Sequence, residues 1–286
     1  MNQRPWQPPA AASQDSEGRA KGLSDQAQLH LESGDRMGAF DLCRAALALD
    51  GHCFPAHRLL AKIGLSGEDY RDLIQRIHRE FEPRAYLEIG VALGSTIVLA
   101  GENTLAIGVD PSPEIARPLP PNVRIVRETS DAFFAGHDLK QEFGGRELDL
   151  AFIDGMHRFE YALRDFMHIE RNGTPATRVL MHDCYPLDEV TATRERNTVF
   201  WTGDVWKLTL CLKKYRPDLQ VHTLAAPPSG LGVIRGLDPG STTLAANFDA
   251  ICREFVALPY AALQPDKRTA LNLVAGDWET ARGLLV

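Results

Sequence analysis

Cysteine is sparse here and does no visible framework work: Cys43, Cys53, Cys184, Cys211 and Cys252 are scattered, with no C-x-x-C pair. That excludes a disulfide scaffold or a structural zinc ribbon and fits a reducing, cytoplasmic setting. No apolar run approaches the roughly 18 residues of a membrane span, and residues 1–6 lack the apolar stretch of a signal peptide. An excess of positive charge is missing too. With Asp+Glu at 38 against Lys+Arg at 31 and a net charge of −7, nothing steers the chain toward nucleic acid or an anionic membrane. What is present is 44% hydrophobic residues in 286, enough for a real core and room for one large domain or for one domain plus an appendage.

The chain is organised around residues 85–110. Ala85–Ile89 is a short apolar run that reads as a buried strand, ending in Glu88-Ile89-Gly90, where small residues permit a tight turn. Gly94-Ser95-Thr96 then opens a helix, with hydroxyls suited to capping free N–H groups. A second apolar run, Leu105–Val109, closes on Asp110. Strand, glycine turn, helix, strand and terminal acid make the first half of a nucleotide-binding α/β sheet, with Asp110 placed to accept hydrogen bonds from a ribose. The loop 90–94 is not a G-x-G-x-x-G dinucleotide loop, and no phosphate loop ending in Gly-Lys-Ser/Thr occurs. Glu88 would repel a phosphate and suits a cationic amino group. A ligand with a ribose, no phosphate and a positive charge is S-adenosylmethionine; an unrelated α/β turn is the other reading of the same residues.

On these residues the sequence resembles the class I S-adenosylmethionine-dependent methyltransferases, whose first motif reads acid-x-Gly-x-x-x-Gly. The resemblance covers about 83–237 and implies a Rossmann-like α/β fold: a mostly parallel seven-stranded sheet with an antiparallel last strand. The expected strands after Asp110 are Val123–Val126, 148–153, Arg178–Met181, 219–224 and Leu231–Arg235, with helices over 159–169 and Trp206–Tyr215. The expected organisation is a disordered tail over 1–22, with Trp6 its one feature that might dock, then a helical segment over 23–82. The catalytic domain follows over 83–240, and a helical C-terminal extension over 241–286. In the helical segment Gly34-Asp35 and Gly67-Glu68 stand 33 residues apart, which looks like one to two tetratricopeptide-type hairpins; an ordinary helical extension is the other reading. Too few for a free-standing array, these helices are expected to pack on the domain or to form a homodimer contact.

Polar clusters end each strand: Glu88, Asp110, Ser130-Asp131, Asp154-Gly155-Met156-His157 and His182-Asp183. In an open parallel sheet, ligands bind outside the carboxyl ends of the strands. The cofactor set is therefore Glu88, Gly90, Gly94, Ser95, Asp110, Ser130, Asp131 and Asp154; the resemblance implies Asp131 near the adenine amine, while Ser130-Asp131 also reads as a plain helix cap. Neighbouring strands lie about 4.8 Å apart, so Asp154 and Asp183 are expected to bring their carboxylates together beside His157 and His182.

The Asp-Gly-x-His … His-Asp pair resembles a branch acting on hydroxyls of small molecules, sugars and natural products among them. Three readings of it stand. Asp154 and Asp183 hold Mg²⁺, which clamps the acceptor oxygen, although metal-dependent relatives follow the second Asp with Asn and this chain has Cys184. Alternatively no metal binds and His157 is the general base. In the third, the histidines only hydrogen-bond the carboxylates. His157, Asp154 and Asp183 are thus the catalytic candidates, with His182, Trp201 and Asp204 on the acceptor side, where the polar loop 188–197 and the tryptophan stretch could form a lid. For Trp206, anchoring the next helix in the core is the stronger reading.

The function expected is transfer of a methyl group to a hydroxyl of a small-molecule acceptor. Other readings are a hydroxylase-like relative holding iron on the same fold, and a non-catalytic binding module working through the N-terminal helices. No Asn-Pro-Pro-Tyr-type signature of nitrogen methylation is present.

Overall fold

The computed structural model describes residues 13–264 and 266–286; Trp6 lies outside the described residues. Four helices come first: α1 (Gln14–Glu32), α2 (Arg36–Leu49), α3 (Phe54–Gly64) and α4 (Tyr70–Phe81). The α/β portion runs β1 (Ala85–Ile89), β2 (Leu105–Val109), β3 (Val123–Val126), α5 (Ser130–Gly136), α6 (Leu139–Glu142), β4 (Leu150–Ile153), α7 (Phe159–Asn172) and β5 (Arg178–Met181). It continues with α8 (Trp206–Tyr215), β6 (Gln220–Leu224) and β7 (Leu231–Arg235). The remainder is α9 (Thr243–Ala246), α10 (Phe248–Val256), α11 (Lys267–Ala270), β8 (Leu273–Val274) and α12 (Trp278–Leu285).

The strands form one sheet in the order β3-β2-β1-β4-β5-β7-β6-β8. β3, β2, β1, β4 and β5 are parallel; β7 is antiparallel to both β5 and β6. This is the expected Rossmann-like sheet with one strand more, since β8 pairs in parallel with β6. The C-terminal extension is therefore not purely helical. Its Leu273–Val274 segment finds the ladder partners that an open β6 edge would otherwise lack.

Both faces of the sheet are covered, which is why the parallel strands read as unbroken apolar runs. On one face Leu87, Ile107, Ala151 and Val179 pack with Phe133, Phe159, Phe166, Leu208 and Phe255. On the other, Tyr86, Phe152 and Leu180 meet Leu73, Ile74 and Ile77 of α4, with Ala281 and Leu285 of α12. Burial of those three α4 side chains contributes roughly 1.5–3 kcal/mol each, so α4 belongs to the sheet's own layer.

Three expectations need correction. Residues 14–22, read as tail, are the first turns of α1, because Ala20, Ser24 and Ala27 bury against α2 and α3. The two glycines 33 residues apart play different parts: Gly34 turns left-handed (φ 88°) between α1 and α2. Gly67 serves a close approach instead, for a Cβ there would lie 2.5 Å from the Ala225 oxygen. The helix expected after Gly94 is a single 3-10 turn, Ile97–Leu99. Thr96-Ile97-Val98 are β-branched and disfavour a helix, and the Thr96 hydroxyl donates to Glu88 (2.7 Å) and accepts no capping N–H. Finally, Thr129 caps α5 through Oγ1, not Ser130.

Candidate active site

The crossover on either side of β1, with β2 and β4 as its neighbours, opens a crevice at the carboxyl ends of the strands. A cavity of about 1220 Å³ fills it, larger than the ~300–1,000 Å³ typical for one drug-sized ligand. Gly90, Asp110, Ser130, Asp131, Asp154, His157, His182, Asp183 and Trp201 all line it. Gly90 is obligatory at φ 85°, since a Cβ would fall 2.0 Å from the Asp154 carbonyl oxygen. Asp110 is locked by backbone donors: Oδ2 accepts from Val91 and Ala92 (both 2.9 Å), Oδ1 from Ser112 (2.8 Å). One carboxylate thus fixes the glycine loop and the loop after β2.

The centre of the cavity is a quartet from β4, β5 and the turns that follow them. His182 Nδ1 lies 3.3 Å from Asp154 Oδ1 and 3.5 Å from Asp183 Oδ2, and its Nε2 is 3.2 Å from Ser229 Oγ. Tyr70 of α4 stacks on that ring at 4.1 Å. Burial alone would lower its pKa, but the charges of Asp183 and Asp154 outweigh it and push His182 up to about 10. The reverse holds for Asp154, where His182 and His157 overcome burial and pull the carboxyl down to about 2.

His157 is oriented from the other side. Its Nδ1 is 3.2 Å from the Trp201 carbonyl, which only accepts, so Nδ1 carries the proton. Its ring also stacks on Trp201 (5.2 Å, 22°). Nε2 faces Asp183 Oδ2 at 3.1 Å and Asp154 Oδ1 at 3.5 Å. Burial opposes protonation here too, and the Asp183 charge, with Asp154 behind it, raises the pKa all the same. Gly203 permits the contact: a Cβ there would sit 1.8 Å from the His157 oxygen. The side chain of His157 is 24% exposed against 9% for His182, so His157 is the histidine a ligand can reach.

Several expected contacts are not brought to the cavity. Glu88 is fully buried below it, accepting from Tyr86 Oη (2.6 Å) and Thr96 Oγ1 (2.7 Å), and burial pushes it up to about 8. A carboxyl enclosed in the core beneath the cavity does not reach a cationic amino group bound there. Gly94 and Ser95 shape the turn without lining the cavity. Asp204 accepts from the Phe159 N–H at the start of α7 (2.7 Å) and pairs with Lys207, with 1% exposed. Asp131 lines the cavity, but both its oxygens accept from Arg164 (2.8 Å each). The lid is pinned: the Trp201 indole donates to Thr193 (2.6 Å), and Arg194 forks onto Glu160. Trp206 is buried as expected.

The sequence reading missed Tyr70, Ser229 and Asp165. Asp165 lines the cavity with a buried Oδ1 that has no partner among the described residues, and burial raises its pKa to about 7.

The cavity's size, the fixed Asp110 and the unpartnered Asp165 oxygen fit an adenosyl cofactor beside a second reactant. For a metal, Asp154, His182 and Asp183 bring ligand atoms within 4.8 Å, but the His182 ring itself bridges the two carboxylates, and Mg²⁺ favours all-oxygen sites. Cys184 turns away, its thiol buried and 3.6 Å from the Met181 carbonyl.

Residues 87–184 match a family model described as a methyltransferase domain. No curated protein matches the chain. Among solved structures it is similar to cofactor-bound Rv0187 from MTB, at 14% identity over 59% of this chain and 80% of that one, with a TM-score of 0.47. It is also similar to the O-methyltransferase TomG from Streptomyces achromogenes in complex with SAM, at 13% identity over 59% and 80%, with a TM-score of 0.45. A third is the O-methyltransferase from Bacillus cereus in complex with SAH, at 13% identity over 62% and 87%, with a TM-score of 0.44. Among the described residues no helix is long and apolar enough to cross a membrane.

Proposed function

We propose, from the premise that residues 87–184 are a methyltransferase domain of the S-adenosylmethionine-dependent class, that the chain methylates a hydroxyl oxygen of a small-molecule acceptor. The observation that carries this reading is the meeting of Asp110, Asp154, Asp183 and an accessible His157 around one cavity large enough for two reactants. Asp110 would take the ribose hydroxyls, with the 90–92 backbone beside it, and Asp165 and Ser130 would face the remainder of the nucleoside. When bound, S-adenosylmethionine supplies an already activated sulfonium methyl.

The protein's own work is positioning and one proton transfer. Holding the acceptor oxygen at near-attack distance is worth about 7–11 kcal/mol of barrier. Neutral His157, with its proton on Nδ1, presents an Nε2 lone pair that an acceptor hydroxyl would reach by entering beside Asp183, the carboxylate that Nε2 faces at 3.1 Å. As Nε2 takes that proton, Asp183 and Asp154 stabilise the cation that forms, a contribution of about 10²–10⁴-fold. His182, already charged, holds both carboxylates in place. No step needs a metal at the quartet, because the His182 ring supplies the positive charge between the two acids.

Calorimetric titration with S-adenosylhomocysteine tests the reading. Binding is expected, with a melting temperature that climbs with ligand concentration. The proposal is sunk if no binding is seen, or if S-adenosylhomocysteine never accumulates from S-adenosylmethionine across a panel of hydroxylated acceptors.

A further inference from the structure

The cavity extends past the strand ends to α3, which contributes Phe54, Arg58 and Lys62 to its wall. Arg58 and Lys62 lie four residues apart, on one face of the helix. Both are exposed, and neither has an acidic partner among the described residues. The other basic groups on this wall are engaged: Arg71 with Asp69 at 3.2 Å, Arg158 with Glu195 at 2.8 Å, and Arg196 with the carbonyls of Thr198 and Val199. Lys62 stands in the last turn, where the helix dipole favours a cation. Arg58, a turn earlier, has no such reason, and like charges at this spacing disfavour the helix. In a chain of net charge −7, an unanswered positive pair inside a cavity is a local feature that composition does not explain.

This wall is rigid and also apolar. His57 stacks on Phe200 (5.5 Å, 13°), and Phe54 lies 6.3 Å from the same ring, fixing α3 against the segment that carries Trp201. Phe54 and Val199 remain 42% and 36% exposed on the cavity side, an unusual display for large apolar residues. Two cations beside exposed apolar side chains match an amphipathic organic acid.

We propose that the acceptor carries an oxyanion, a carboxylate or a phosphate, seated on Arg58 and Lys62, with its apolar body against Phe54, Val199 and Trp201. Naming this group the acceptor rests on the methyltransferase reading; the anion seat itself does not. The N-terminal helices then select the substrate and leave cofactor binding to the sheet.

The test is calorimetry on the full chain, with and without saturating S-adenosylhomocysteine, using salicylate against neutral salicylamide and phenyl phosphate against phenol. At least one anion is expected to bind about tenfold tighter than its neutral counterpart, and the pair that shows it separates carboxylate from phosphate. In the Arg58→Gln/Lys62→Gln variant that preference should vanish while S-adenosylhomocysteine affinity stays the same; both side chains are exposed, so the fold is not at stake. Equal binding within both pairs, no measurable binding of either anion, or a preference that survives in the variant overturns the proposal. If S-adenosylhomocysteine fails to bind while the anion preference is present, the methyltransferase reading fails and the anion seat stands.

Discussion

His157 Nε2 and Asp183 Oδ2 meet at 3.1 Å, and both residues sit in the left-handed region, at φ 55° and 56°. Such backbone costs on the order of 1–3 kcal/mol per residue and persists only where surrounding structure over-determines it. Here Gly203 packs on one turn, and the His182 ring reaches the other's carboxylate. The strain is spent on aiming one imidazole nitrogen at one carboxylate.

That pairing predicts a pH profile. His157 must be neutral to accept a proton, and Asp183 raises its pKa above the ordinary imidazole value. The acid limb of kcat should therefore lie above the usual histidine range and move to lower pH in Asp183→Asn, where the opposing effect of burial gains weight. His157→Gln should cut kcat by about 10²–10⁴-fold and leave S-adenosylhomocysteine affinity unchanged. Stopped-assay pH profiles with parallel calorimetry check both; an unshifted limb in Asp183→Asn would remove the pair from catalysis.

Asp110→Ala should show the opposite pattern. The substitution strips the acceptor from three backbone N–H groups and removes the proposed ribose partner. A hydrogen bond to a charged group is worth about 1.5–3 kcal/mol, so cofactor affinity is expected to fall roughly 10- to 100-fold. Titration with S-adenosylhomocysteine measures it directly.

The strand tips were legible because each short apolar run stops at an acid, and β4 and β5 do pair as neighbours, which brings Asp154 and Asp183 together. Glu88 was misread although its direction was available. Residues two apart in a strand share a face, and Tyr86 marks that face as core, packed beneath α4. The 3-10 turn after Gly94 was equally available in the β-branched run 96–98. Tyr70 and Ser229 carried no signal: one comes from a helix read as belonging to another unit, the other from the loop between β6 and β7, and only tertiary packing joins them at His182. Nor could spacing reveal that the polar loop before Trp201 is pinned through Arg194 and Glu160 rather than free to close.

The His182 bridge also predicts how the enzyme responds to chelation. Nδ1 sits between the two carboxylates, whose charges outweigh burial and favour the protonated ring. A divalent ion would have to displace that proton, and Cys184 offers no hard ligand. Methyl transfer is therefore expected to survive EDTA treatment. Activity lost to the chelator and restored by Mg²⁺ would instead assign Asp154 and Asp183 to a metal.

Glu88 makes the stability of the protein pH-dependent. Burial raises its pKa to about 8 in the folded chain, while hydrogen bonds from Tyr86 and Thr96 pull the other way and Asp154 adds to the rise. Unfolded, the group returns to its ordinary value of 4.5. Between those two values the native state holds a proton that the unfolded chain releases, so this contribution is complete below 4.5 and lost as pH climbs through about 8. The full swing is on the order of 5 kcal/mol. Glu88→Gln keeps the shape, removes the titration and lets the Tyr86 or Thr96 hydroxyl accept from the new amide. Urea unfolding at about pH 5 and about pH 9 should show a smaller loss of stability in the variant than in the parent. Equal losses in the two proteins would mean that Glu88 titrates normally and that the buried acid beneath the cavity is charged.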